Sequence, residues 1–204
     1  MKACLVLILG IIIGSFLEGK MPVLKIGKRP MAVGVINGLL YLWIYAVHGL
    51  TIESMLAGIV TSALLVLSIV DFKTFEIPPV CDLVIGIAGL IRTILHWNYW
   101  YDYVIGFFTV SGVFLLIYFA SKGNAMGGGD IKLMAVSGLF LGWQRILLSL
   151  MIGSLAGTVI HLLLMKLKGK EKVLAFGPYL AFGIFVAMLY GERIIKWYLN
   201  VFIS

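Results

Sequence analysis

Long apolar runs recur from one end of this chain to the other, and they restrict its fold more than any other feature. Stretches such as LLVLSIV and GVFLLIYFA are apolar on every side, unlike an amphipathic surface helix or the alternating strand of a membrane barrel. Inside a bilayer every backbone N–H and C=O must be satisfied within the protein, which leaves the helix. The chain is therefore predicted to be an all-α, polytopic transmembrane bundle. A crossing needs about 17–25 mostly apolar residues, and candidates lie at 3–17, 31–47, 53–70, 80–95, 103–120, 131–142, 146–165 and 174–190. That makes about eight spans, and six at the least. The run 131–142 is the shortest, and only Trp143-Gln144-Arg145 parts it from the next, which suggests an incomplete span beside a full one. The tail 194–203 either continues the last helix or lies in the interface.

Of the 204 residues, 62% are hydrophobic, well above the roughly 45–50% of soluble domains. A chain of 22.4 kDa cannot hide that much apolar surface in a core facing water, so lipid is its solvent. Residues 1–204 read as one membrane domain, with no repeat or linker. The net charge of +7 comes from short clusters between apolar runs rather than one basic face, so no nucleic-acid partner is expected. Two cysteines, Cys4 and Cys81, build neither a disulfide framework nor a four-cysteine metal site.

Alternating spans send the loops 18–30, 71–79, 121–130 and 166–173 to one side, with Lys132 just beyond. That side holds Lys20, Lys25, Lys28, Arg29, Lys73, Lys122, Lys132, Lys166, Lys168, Lys170 and Lys172, against Lys2, Arg92, Arg145, Arg193 and Lys196 on the other. The bias of eleven to five predicts that the first side faces the cytoplasm and both termini face out. It also argues against a cleaved signal peptide at the start, which would carry the basic 18–30 loop outside. The lysines at 166–172 suit an anchor against anionic lipid headgroups, and the cluster His96 to Tyr101 suits an interfacial aromatic belt on the outer side.

A charge at the centre of a spanning helix costs about 2.5–3.5 kcal/mol on insertion scales, so acidic residues at span ends call for a reason. Asp71 closes the run SALLVLSIV, and Asp130 opens IKLMAVSGLFLG after MGGG. Each has an ordinary explanation: Asp71 as an interfacial residue reaching water, Asp130 as an N-cap. Both, however, reach the same membrane face from spans far apart in sequence. Two neighbouring carboxylates resist double ionisation, leaving one as general base and one as general acid. Gly127, Gly128 and Gly129 remove side chains beside Asp130, so that an extended substrate backbone can approach. GGGDIK lacks the Gly-Lys-Ser/Thr ending of a phosphate loop, and no dinucleotide-binding pattern is present.

At these residues the chain resembles the type IV prepilin peptidases, which place a catalytic aspartate in a GxGD motif. The matches are Gly127-Gly128-Gly129-Asp130, Asp71 with Ile77-Pro78, Gly14-Ser15-Phe16, and FGPYLAFG at 176–183 with Phe176, Gly177 and Pro178. The resemblance implies an aspartic endopeptidase of the bacterial cytoplasmic membrane. Asp71 and Asp130 would be catalytic, with the surrounding glycines, Ile77, Pro78 and the FGP residues shaping the site. Its partners would be prepilin or pseudopilin substrates and membrane lipids, and nothing in the sequence sets an oligomeric state. Two departures stand out. The family commonly has Asp or Asn directly after Ile-Pro, whereas Pro79, Val80 and Cys81 here precede Asp82. Bifunctional members carry a cysteine-containing cytoplasmic insertion after the first span, whereas EGKMPVLKIGKRP has no cysteine. Proteolysis needs no cofactor, and S-adenosylmethionine is implied only if N-methylation is retained.

Glu76 reads as a solvated loop carboxylate, and Glu18 has no account from the sequence. His48, His96 and His161 share no metal-ligand spacing and fall on different faces or loops, so no metal is expected. A proton-coupled transporter or a silent assembly factor are the rival readings. Against the transporter, the aspartates sit at helix ends and no inverted repeat is visible.

Overall fold

The computed structural model describes residues 2–24, 31–124, 126–168 and 175–202. Among them all regular structure is helical, in the order α1 (Lys2–Lys20), α2 (Ala32–His48), α3 (Ile52–Thr74), α4 (Pro79–Leu95), α5 (Trp100–Ala120), α6 (Gly128–Leu141), α7 (Trp143–Lys168) and α8 (Gly177–Phe202). Short 3-10 turns precede α2, at Pro22–Leu24, and α5, at Trp97–Tyr99. Each expected apolar run is matched by a helix. Five are long and apolar enough to cross a membrane: α1, α3, α5 with the turn before it, α7 and α8. The helix α2 is a shorter apolar one. The runs at 80–95 and 131–142 become α4 and α6, of 17 and 14 residues. At about 1.5 Å per residue α6 rises only about 21 Å, against a hydrocarbon core of about 30 Å. It survives because protein surrounds it: α6 packs on α4, α5, α7 and α8.

One connection differs from the sequence reading. Trp143-Gln144-Arg145 is not a connector but the first turn of α7, and the break falls on Gly142 alone, at φ 84°. Its N–H bonds the Gly138 carbonyl at 2.9 Å while its own carbonyl accepts from Ile146 at 3.0 Å. One left-handed glycine thus ends one helix and starts the next. Of the two readings of the tail, the continuation of the last helix holds, since α8 runs unbroken to Phe202.

The connections after α1 and α3 meet at one end of the bundle, where Lys73 donates to the Val23 carbonyl. The starts of α6 and α8 join them there, packed on Ile77. Of the basic residues expected on that side, Lys25, Lys28, Arg29, Lys170 and Lys172 lie outside the described residues.

The helices are held by close backbone contact and by polar links. Gly10 and Gly14 of α1 face Gly38 and Gly34 of α2, so that a Cβ on Gly10 would lie 2.7 Å from the Gly38 Cα. These are paired small-xxx-small faces, and Gly14 of the GSF triplet belongs to them. Asn37 on α2 donates to the Gly10 carbonyl at 2.9 Å and accepts from Ser62 on α3 at 3.1 Å. Tyr41 reaches the same Ser62 at 3.1 Å. Glu18 gains a role here: its buried carboxylate accepts the Val33 N–H at 3.3 Å, at the start of α2. Met31, the N-cap, supplies no side-chain bond there, so Glu18 satisfies an orphan donor at the positive end of the helix.

Gly106 and Gly138 bring α5 and α6 together so closely that a Cβ on either would strike the other's backbone. Gly138→Ala is therefore expected to destabilise by about 1–3 kcal/mol through overpacking. Gly112→Ala, on the same α5 with open space around it, should change little. Equilibrium unfolding by SDS titration of both variants checks this.

Candidate active site

Asp71 lies in the last turn of α3, which closes when Phe75 N–H bonds the Asp71 carbonyl at 2.9 Å with Phe75 left-handed at φ 56°. The chain then passes through Glu76, which is exposed, and Ile77 to Pro78, the N-cap of α4. Pro79 follows at the first helical position, where the missing N–H has no partner to lose. This turn leaves Asp71 only 5% exposed.

The FGP motif supplies its partner. The N–H of Gly177, first residue of α8, donates to Asp71 Oδ2 at 2.9 Å across a sequence separation of 106 residues. A Cβ on Gly177 would stand 2.6 Å from that same oxygen, so the approach requires glycine. The Phe176 carbonyl accepts from Tyr179 and Leu180, each at 3.1 Å, and starts the helix. Pro178 sits in its first turn, and Tyr179 packs edge-on against Phe72 of α3 with ring centroids 6.3 Å apart.

The GxGD motif joins from α6. Gly127 is the N-cap, extended and without a side-chain bond, which corrects the N-cap reading of Asp130: that residue is the third of the helix. A Cβ on Gly127 would lie 3.6 Å from Asp130 Oδ2, and one on Gly129 would lie 3.1 Å from the Ile77 Cβ. Gly128 has nothing within 4 Å of its missing side chain, which leaves room above the helix start. Ile77 lies between Gly129 and Gly177 and wedges the three motifs together.

Asp130, partly buried, feels the charges of both Asp71 and Asp82. The sequence left Asp82 without a role. It is buried in the first turn of α4 with Oδ1 unpartnered, and the charge of Lys132 is within its reach. Its position three residues past Pro79 placed it outside any family motif, so only folding reveals a third carboxylate beside the pair. Carboxylates in one another's field share protons rather than ionise independently. Such a cluster is equipped to take a proton from water and deliver one to a leaving group.

The histidines need a correction. His48 and His96 do not fall apart but line one cavity at the opposite end of the bundle, while His161 lies elsewhere on α7. Among the described residues no group of three or more His, Cys, Asp or Glu side chains is placed to hold a metal ion.

A profile of the type IV leader peptidase family matches residues 58–162, a stretch that includes Asp71, Ile77, Pro78 and the GGGD motif. A Pseudomonas aeruginosa protein named prepilin leader peptidase/N-methyltransferase is 30% identical over 184 residues, 86% of this chain and 63% of that protein. A protein of the same name from Stutzerimonas stutzeri is 30% identical over 195 residues, 90% of this chain and 67% of its own length. A third, from Pectobacterium carotovorum, is 36% identical over 137 residues, 62% and 48% respectively. The chain thus spans about half to two thirds of the length of these curated relatives. No solved structure matches it.

Gly177→Ala is expected to displace the start of α8 and break the bond to Asp71, a loss of about 1–3 kcal/mol for a hydrogen bond to a buried acidic group. Gly128→Ala should leave stability unchanged. Thermal unfolding of the two variants in detergent separates them.

Proposed function

Since the chain belongs to the type IV leader peptidase family, we propose that it is a membrane aspartic endopeptidase that removes the leader peptide of prepilin-like or pseudopilin substrates. The observation that carries this is that Asp71 of α3 and Asp130 of α6 stand at one end of the bundle, where Ile77 packs on both Gly129 and Gly177 and the charge of Asp71 acts on Asp130. Asp71 is pinned by the Gly177 N–H, and Asp130 opens onto a glycine-lined helix start with space for an extended peptide.

The pair holds one proton between its two carboxyls. The ionised one removes a proton from a water, whose oxygen attacks the scissile carbonyl carbon. The protonated one polarises the carbonyl and then supplies its proton to the departing amide nitrogen as the C–N bond breaks. The aspartates face the cytoplasm in this reading, supported by the positive bias of the loops on their side. The substrate's short basic leader lies at that face of the bacterial inner membrane. Its apolar helix packs laterally against the enzyme, and the bond cut follows a glycine at their junction.

Methyl transfer stands outside the proposal. The connection between α1 and α2 carries no cysteine, and the two cysteines present are an exposed Cys4 and a buried Cys81 on separate helices. No cysteine-ligated metal lobe can be assembled from them. S-adenosylmethionine, a bulky polar cofactor, finds no glycine-rich strand-turn-helix to hold it.

Asn at either aspartate removes one half of the proton relay. Asp71→Asn and Asp130→Asn should each lower cleavage of a prepilin peptide by about 10²–10⁴-fold while the protein still inserts and folds; normal cleavage by either variant rules out the aspartyl mechanism. Mass spectrometry of the cut substrate, after incubation with S-adenosylmethionine, should show a new N-terminus methylated poorly or not at all. A stoichiometric gain of one methyl group would show that the short connection suffices.

A further inference from the structure

At the end of the bundle opposite the aspartates, the early stop of α6 leaves a cavity of about 640 Å³. Its walls come from the end of α4, the starts of α5 and α7 and the later turns of α8. The lining is charged with both signs, and most charges are accounted for. Lys196 pairs with Glu192 at 2.7 Å, one turn apart. Glu53 serves two partners, His96 at 2.9 Å and Arg92 at 3.5 Å.

Arg92 is 7% exposed and incompletely satisfied. One terminal nitrogen reaches the Phe140 carbonyl at a long 3.3 Å, the Phe140 ring lies beneath the guanidinium at 4.9 Å and the Tyr103 side chain also acts on it, while Nε has no partner. Arg92 also stands in the field of a second guanidinium, Arg145. Arg145 senses Glu192 too, but neither it nor Asp102, another lining residue, is in an ion pair among the described residues. Glu53 offsets part of the charge of this guanidinium pair, and because Arg145 has no ion-pair partner among the described residues a further anion between the two is electrostatically favoured. Paired guanidiniums match phosphate oxygens in geometry as well as charge. The uncommitted Asp102 carboxylate, also on the lining, suits a cation.

We propose that this cavity binds a phosphoethanolamine group, with the phosphate between Arg92 and Arg145 and the amine toward Asp102. A volume of 640 Å³ is that of a small-molecule site rather than of a single ion. Trp97, Trp100 and Tyr101, 65%, 47% and 48% exposed, stand at the same end, and such a belt sits at headgroup level. The source favoured is therefore the headgroup of phosphatidylethanolamine in the leaflet away from the aspartates. The site stands apart from the peptidase reading, and the inactive Asp71→Asn protein should keep it.

The test is native mass spectrometry of the full chain in detergent, offered phosphatidylethanolamine, phosphatidylglycerol, soluble phosphoethanolamine or inorganic phosphate. One phosphatidylethanolamine per chain should be retained, and Arg145→Ala should weaken retention at least tenfold. Arg145 is only partly buried, so this variant should fold. Asp102→Asn should lower retention of phosphatidylethanolamine but not of phosphatidylglycerol. Equal binding by soluble phosphoethanolamine would keep the site and reassign its source. Unchanged retention by Arg145→Ala, or equal retention of both lipids by wild type and Asp102→Asn, would overturn the proposal.

Discussion

In hydrocarbon an apolar helix gains little by leaving lipid for another apolar helix, so something other than hydrophobicity must decide which helices touch. Here two devices do it. Glycines let backbones meet directly, as between Gly10 and Gly38 or Gly106 and Gly138. A few buried polar groups supply bonds that lipid cannot, as with Asn37 between α1 and α3 and Glu18 at the start of α2. The bond from Gly177 to Asp71 uses both at once, since the missing side chain is what allows the amide to reach the carboxylate. Stability and the geometry of the candidate site therefore rest on the same contact.

Burial follows the same logic. The spanning window of α3 is 61% buried against 17% for that of α1, whose outer face is left to lipid. The helix carrying Asp71 is thus the interior one, contacting α2, α4 and α8, while α6, which carries Asp130, is enclosed by its neighbours. Both aspartates stand on helices whose positions are fixed from several sides, as the proposed proton relay requires.

Helix positions were legible because a bilayer imposes a length and composition that local sequence must meet, and every apolar run became a helix. The aspartates stand out in the sequence because charge at the end of such a run is unusual. Other features depended on partners distant in sequence. Glu18 acts on a backbone amide fifteen residues away, and Asp82 matters only beside Asp130. His48 and His96 share a cavity that no spacing rule would assemble. The break at Gly142 is hidden in the sequence because polar residues after a run look like a loop, whereas a single positive φ turns the chain. The Gly10/Gly14 and Gly34/Gly38 faces were readable in the sequence as small residues four apart, yet which face each would meet was not.

The shortness of α6 has an electrical consequence. The partly exposed Asp130 lies near one end of this helix, and the charged cavity opens beyond the other. Where water reaches both ends, a transmembrane potential falls across about 20 Å instead of about 30 Å. The field along α6 is then steeper by about half than across unmodified bilayer, and one end of that steepened drop lies beside the carboxylate cluster.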